Sequence, residues 1–491
     1  MREGKISETS RRGRGRAALA LLMIGAAVGA TLSPPLVPAA GARQGAVQVD
    51  EVDAIFAEWH RVDSPGCALG VVQNGELAYE RGYGSANLDW QIPIATDTVF
   101  YVGSVSKQFT AAVIALLAQD GLISLDDDIR DYFPEMPAYE RPITIRHLVH
   151  HTSGVRDIYT LMALAGIRLE DVFSDEEAIA LIAAQRETNF TPGDEHLYSN
   201  SGYFLLAQLV ERASGRSLRE YAEAEIFAPL GMNDTHFHDV PSHVVERRAI
   251  SYQRDGDDSF RVSYLGNFDK VGAGGLYSTV RDLLLWDRNF YTGDVGGQEF
   301  LDLIHNPGVL TGGERLVYAF GLSVDEYRGL RTVSHSGSMM GFKAAFLQFP
   351  EQRFSVLATC NLGNIAPMGL ARRVADIYLA EELGPAPQDS GPSRPGGSRA
   401  APETSFTAAE LAAYAGTYYS SELEVVYELS VGGDELWLSL RSTPPRRLRK
   451  RQDGSIRAGG WEFDFQRPTD GAAVGFTINA GRVTNIRFER R

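Results

Sequence analysis

Residues 101–110 read YVGSVSKQFT. The chain of 491 residues carries 47 basic side chains, and only five are lysine: Lys5, Lys107, Lys270, Lys343 and Lys450. Arginine is the habitual cation, so a lysine at 107 asks for a reason. Lys107 stands three residues after Ser104 and begins a helix-period run, KQFTAAVIALLAQDG, closed by Asp120-Gly121. Positions i and i+3 share one helix face. A serine hydroxyl is a poor nucleophile until a neighbouring base takes its proton. Lysine can do so as a neutral amine, whereas arginine cannot be deprotonated in a protein. The helix N-terminus adds backbone N–H groups suited to a developing oxyanion. The same four letters also fit a surface helix start with a serine cap and a solvated lysine. The pattern alone does not choose between them.

Two later stretches supply further chemistry. HLYSNSGYFLLAQLV (196–210) places Tyr198 and Asn200 just before another apolar helix. A tyrosine beside a cationic amine can share its proton below its free pKa of about 10 and serve as a general base. TVSHSGSMMGF (332–342) is a strand ending in His335-Ser336-Gly337-Ser338. Glycine on an edge strand lets another backbone approach closely.

Around these stretches, 46–383 reads as one large α/β domain. GCALGVVQNGELAYERGYG (66–84) is a hairpin with an Asn-Gly turn. Helical runs follow at 202–215 and 278–291, and strands return at 332–337, 342–349 and 354–360. Strands at both ends of a helical middle imply a sheet closed by its own termini, with a helical subdomain beside it. Residues 384–405 are rich in Pro, Gly and Ser, a linker composition that predicts few contacts across it. In 406–491, about eight short alternating runs recur, enough to close a small antiparallel barrel.

The three pieces S-x-x-K, Tyr198-Ser199-Asn200 and His335-Ser336-Gly337, in this order, resemble the serine β-lactamase and penicillin-binding-protein family. The middle motif is like the Y-x-N of class C β-lactamases. The third is like the H-x-G of D-aminopeptidases and related esterases. HLVHHTSGV (147–155), APLGMNDTHF (228–237) and AGGLYSTVRDLLLW (273–286) also look like this family's sequence. The resemblance covers about 50–383, and 406–491 resembles the lipocalin-like domain of some D-aminopeptidase-like members. It implies an α/β (α+β) β-lactamase/transpeptidase-like fold: an antiparallel sheet flanked by helices, a helical subdomain, then a small all-β barrel. It also implies roles. Ser104 becomes acylated, Lys107 and Tyr198 handle protons, and Tyr198 is the base. Asn200 orients the acyl group. His335, Gly337 and Ser338 line the substrate strand, and the N–H groups of Ser104 and Ser338 form the oxyanion hole. No metal or cofactor takes part. A lysine at 335 would offer a substrate carboxylate a full charge, whereas a histidine near pH 7 is mostly neutral. Recognition of a carboxylate through that position is thereby in question.

The expected activity is hydrolysis of amide or ester bonds in small peptides, including D-amino-acid-containing ones, or in small esters. The alternatives are a β-lactamase or D,D-carboxypeptidase on the same site, or a sensor that acylates without turnover. The partner is a small substrate, and the oligomeric state is left open. The formal net charge is −16. Residues 1–42 hold six basic and two acidic side chains, leaving 41 basic against 61 acidic beyond them, which disfavours nucleic acid and anionic membrane surfaces. Residues 1–42 have the order of a secretory signal peptide: basic 2–16, apolar 18–32, then Ala40-Gly41-Ala42. Ser10-Arg11-Arg12 hints at twin-arginine export. The implied location is periplasmic or extracellular, without stable membrane association once the leader is cleaved. Cys67 and Cys360 lie in apolar runs and read as buried free thiols rather than a disulfide. His150-His151 and His236-x-His238 read as capping or packing residues rather than metal ligands. Asp126-Asp127-Asp128 reads as a solvated turn, lacking the features of a calcium loop. PRRLRKR (445–451) reads as an exposed strand edge.

Overall fold

The hairpin at 66–84 forms β1 (Cys67–Gln73) and β2 (Glu76–Tyr83). Asn74 and Gly75 turn it with φ of 55° and 81°, the two positive values of a type I′ turn. This computed structural model describes residues 40–257, 259–263, 266–386, 401–441, 443–466 and 471–491. The leader expected at 1–42 falls outside them up to residue 39, as does 387–400 of the Pro/Gly/Ser segment. Residues 47–491 form one compact unit. Among the described residues, no helix is long and apolar enough to cross a membrane.

The later strands are β3 (Ser323–Tyr327), β4 (Leu330–Met339), β5 (Phe342–Phe349) and β6 (Phe354–Cys360). The six-stranded sheet runs β3-β4-β5-β6-β1-β2. Every neighbouring pair is antiparallel. The first hairpin thus completes a sheet begun by the last strands. β6 is buried at every residue and β1 at every residue but its last, which explains their continuous apolar runs.

One face of the sheet receives Val52, Ile55 and Phe56 of α1 (Ala40–Phe56). The helix Pro367–Tyr378 adds Leu370 and Val374 to the same face. The other face packs on a larger cluster that includes α2 (Ser106–Gln119), α3 (Asn200–Ser214) and α4 (Val280–Thr292). Ser104 itself lies in a 3₁₀ turn, Gly103–Val105, that leads into α2.

Cys67 and Cys360 are not free thiols: they form a disulfide. The β1–β6 register sets them directly opposite each other, a relation that periodicity does not reveal.

The barrel strands are β7 (Gly416–Ser420), β8 (Val425–Gly432), β9 (Glu435–Leu440), β10 (Arg446–Arg451), β11 (Ile456–Ala458), β12 (Trp461–Gln466), β13 (Gly475–Asn479) and β14 (Ile486–Arg490). Pairing of β10 with β11 closes the ring. The basic run is therefore no edge. β10 is paired on both sides, and its Arg447 and Arg449 reach Glu435 and Glu403 on the surface.

The linker composition also misleads about contacts. Leu161, Leu164 and Ala165 of the helical middle are part of the barrel's own core. The Tyr427 hydroxyl donates to Leu164 O at 2.6 Å. Arg156, with a fully buried side chain, pairs with Glu422 at 2.7 Å, and Glu422 is 4% exposed.

Candidate active site

Two close backbone approaches build the site. β3 covers β4 only over Leu330–Ser334, so His335–Met339 have a strand on one side alone. The turn carrying Ser104 fills the open side. A Cβ on Gly337 would stand 1.9 Å from Val102 O and 3.1 Å from Ser104 N. A Cβ on Gly103, whose φ is +57°, would stand 2.6 Å from Ser338 N. Only glycine fits either place, and the two glycines bring the backbones of Ser104 and Ser338 together.

Lys107 is fully buried one turn into α2. Its Nζ donates to Ala273 O at 2.6 Å and Asn200 Oδ1 at 2.9 Å, and lies 3.3 Å from Ser104 Oγ. Burial pushes its pKa well below the usual lysine value. The charge of Asp157 opposes this shift and that of Arg482 adds to it.

Asn200 opens α3 and is oriented by Asp157. Its backbone N–H and its Nδ2 both donate to Asp157 Oδ2 at 2.8 Å. With Nδ2 so committed, Oδ1 is the atom that faces Lys107. Asp157 also caps the helix Ile158–Leu164 through the Thr160 N–H.

Tyr198 packs beside the amine, which lies 4.7 Å from the centre of its ring. Burial raises its pKa, while a hydrogen bond with Ser104 and the charge of Arg482 act the other way. With its pKa raised, the phenol keeps its proton at neutral pH. The His151 ring, 4.2 Å away, supports Tyr198 and accepts the Ser199 N–H at 3.2 Å. His151 is thus a packing residue, as its sequence context suggested.

His335 is 8% exposed, with both ring nitrogens engaged: Nε2 with the Tyr318 hydroxyl at 3.2 Å and Nδ1 with Ser336 O at 2.7 Å. Burial, with the Lys107 charge, lowers its pKa to about 4. The ring is neutral at pH 7 and held by protein partners. Ser338 Oγ accepts from Lys343 Nζ at 2.7 Å, because the β4–β5 register sets Lys343 opposite Ser338.

The cleft, about 450 Å³, is lined by Ser104, Tyr198, Asn200, His335, Ser338 and Arg482 among others. The structure therefore unites all six sequence-derived candidates, with Gly337 at the close approach. Sequence reasoning missed Asp157, Lys343, Tyr318 and Arg482. Of these, Lys343 alone carried a usable signal, as one of the five lysines. Arg482 comes from the barrel, in the turn between β13 and β14.

The β-lactamase family model matches residues 52–380. A D-aminopeptidase of Cereibacter sphaeroides is 28% identical over 399 residues, 81% of this chain and 71% of its own length. Penicillin-binding protein 4* of Bacillus subtilis is 28% identical over 303 residues, 59% of this chain and 66% of its own. In structure, the octameric penicillin-binding protein homologue of Pyrococcus abyssi aligns with a TM-score of 0.60 at 22% identity. That alignment spans 92% of this chain and all of the homologue, so the likeness of fold extends through the barrel. The chain belongs to the β-lactamase family and is a serine hydrolase.

Proposed function

We propose that this enzyme cleaves amide and ester bonds of small peptides and esters, D-amino-acid-containing ones included, through an acyl-enzyme on Ser104. One observation carries the reading: the hydrogen-bond inventory of Lys107. A neutral amine has two N–H bonds and one lone pair. Ala273 O and Asn200 Oδ1 accept the two N–H bonds, which leaves the lone pair for Ser104 Oγ. In the amine form the serine hydroxyl is the donor and Lys107 the base.

In acylation, Ser104 Oγ bonds to the scissile carbonyl carbon and its proton passes to Lys107. The oxyanion is held by the N–H groups of Ser104 and Ser338, a contribution of about 3–4 kcal/mol per donor in other hydrolases. Tyr198, still a phenol, relays a proton to the departing nitrogen or oxygen as the carbonyl bond to it breaks. Water then adds to the acyl carbon and gives a proton to the same pair, which returns it to Ser104 Oγ as the acyl–oxygen bond breaks. Depressed amine and raised phenol pKa values divide the roles, one the base and one the acid.

The D-aminopeptidase relative supports D-configured amide substrates. The penicillin-binding relative supports a second reading, β-lactam or D,D-peptide acylation, against which the neutral, engaged His335 counts. Exposure of the enzyme to a fluorophosphonate, D-amino-acid amides, activated esters and β-lactams, followed by intact mass, tests both. The expected result is labelling that Ser104→Ala abolishes, with ester and amide acyl groups entering and leaving. Labelling that survives Ser104→Ala refutes the assignment. The leader composition supports export, with a mature chain beginning near Arg43. N-terminal sequencing of secreted protein that still begins near Met1 would refute that.

A further inference from the structure

We propose that Arg482, carried by the barrel, reads a carboxylate on the substrate within a few ångströms of the scissile bond. The inference deepens the acyl-enzyme reading and rests on it. Among the residues that line the cleft, Arg482 is the one with a permanent charge. Its guanidinium lies over the Tyr198 ring, 4.7 Å from the centre, and that ring lines the cleft together with Ser104. Its charge partner among the described residues is Asp157, at a loose 3.7 Å. Asp157 already serves two donors of Asn200 and the Thr160 N–H. The Arg482 side chain is 44% exposed, so part of its five-donor fork faces solvent in the cleft.

The loop is built to hold this arginine. Arg482 O accepts from Asn189 Nδ2 at 2.9 Å and from the Asp157 N–H at 3.4 Å. Two residues on, the Thr484 N–H and Oγ1 donate to Asn189 Oδ1. Asn485 Nδ2 donates to Glu187 Oε2 at 2.8 Å. These bonds at Arg482, Thr484 and Asn485 fix the loop against the helical middle and so fix where the arginine enters the cleft.

The third motif lacks the cation that a lysine at 335 would provide, and His335 is neutral with both nitrogens occupied. Arg482 places a positive charge in the same cleft from a different element. A guanidinium binds carboxylate in a planar, two-point fashion. A charged hydrogen bond of this kind is worth roughly tenfold to a hundredfold in binding.

The test uses two matched pairs on the full chain. Nitrophenyl hydrogen succinate against nitrophenyl methyl succinate places the carboxylate in the acyl group. 3-Carboxyphenyl acetate against its methyl ester places it in the leaving group. In at least one pair the native enzyme should prefer the anion in kcat/KM. Arg482→Met should cut that anion-to-neutral ratio tenfold to a hundredfold, and Arg482→Lys should restore part of it. An unchanged ratio in both pairs overturns the proposal. So does an equal fall on all four esters with a displaced pH profile, which would assign Arg482 to tuning Tyr198 alone. Failure of every ester to acylate Ser104 would instead refute the acyl-enzyme reading.

Discussion

Lys107→Arg is expected to lower kcat/KM by about a thousandfold while leaving the fold intact. Positioned general bases contribute about 10²–10⁴-fold, and a guanidinium keeps the charge but cannot accept the serine proton. The native amine sits in a fully buried place that holds its pKa well below that of free lysine. Because the base must be unprotonated, the native rate should fall as the pH drops through this depressed pKa. The variant should lose that acid limb along with its rate. Ester hydrolysis across pH, with circular dichroism as the control for folding, measures both. A loss under tenfold, about 1.4 kcal/mol, would show that Lys107 is not the base.

Removal of 386–491 is expected to yield an insoluble or unfolded remainder that no longer acylates. Deletion would uncover Leu161, Leu164 and Ala165. It would also strip Glu422 from a fully buried Arg156, whose guanidinium donates to Glu422, Gln185 and Asn485 O. Loss of one partner of a buried pair costs about 3–5 kcal/mol. Arg156→Met in the full chain isolates this term and should lower Tm by about 3–5 °C. A soluble, cooperatively folded truncation that takes up fluorophosphonate at the native rate would show that the helical middle stands without the barrel.

What was legible in the sequence was local. The period-two runs of 332–360 and 416–490 matched strands because each strand buries one or both faces. The serine–lysine spacing brought the two groups together because i and i+3 are neighbours where a 3₁₀ turn runs into a helix. Tyr198, Asn200 and the His335–Ser338 stretch were found as motifs whose chemistry suits acyl transfer. What was not legible depended on the third dimension. The pairing of Cys67 with Cys360 is a matter of sheet register. Asp157 looks like an ordinary helix cap until Asn200 is seen against it. Arg482 is one of many arginines, and only packing of the barrel brings it over Tyr198.

The placement of β1 beside β6 also governs when this protein can take shape during its synthesis. The two strands meet across a sequence separation of 293 residues. Closing a loop of that length costs on the order of 5 kcal/mol in chain entropy before any contact rewards it. At about 5–20 residues per second, β6 leaves the ribosome about 15–60 s after β1. Through that interval the almost wholly apolar Cys67–Val72 run has β2 on one edge and nothing on the other. A nascent hairpin of this kind is sticky and unable to settle, so the chain stays open until nearly all of the catalytic part has emerged. An unfinished sheet is a burden on the ribosome, because its exposed apolar edge is covered only when β6 arrives.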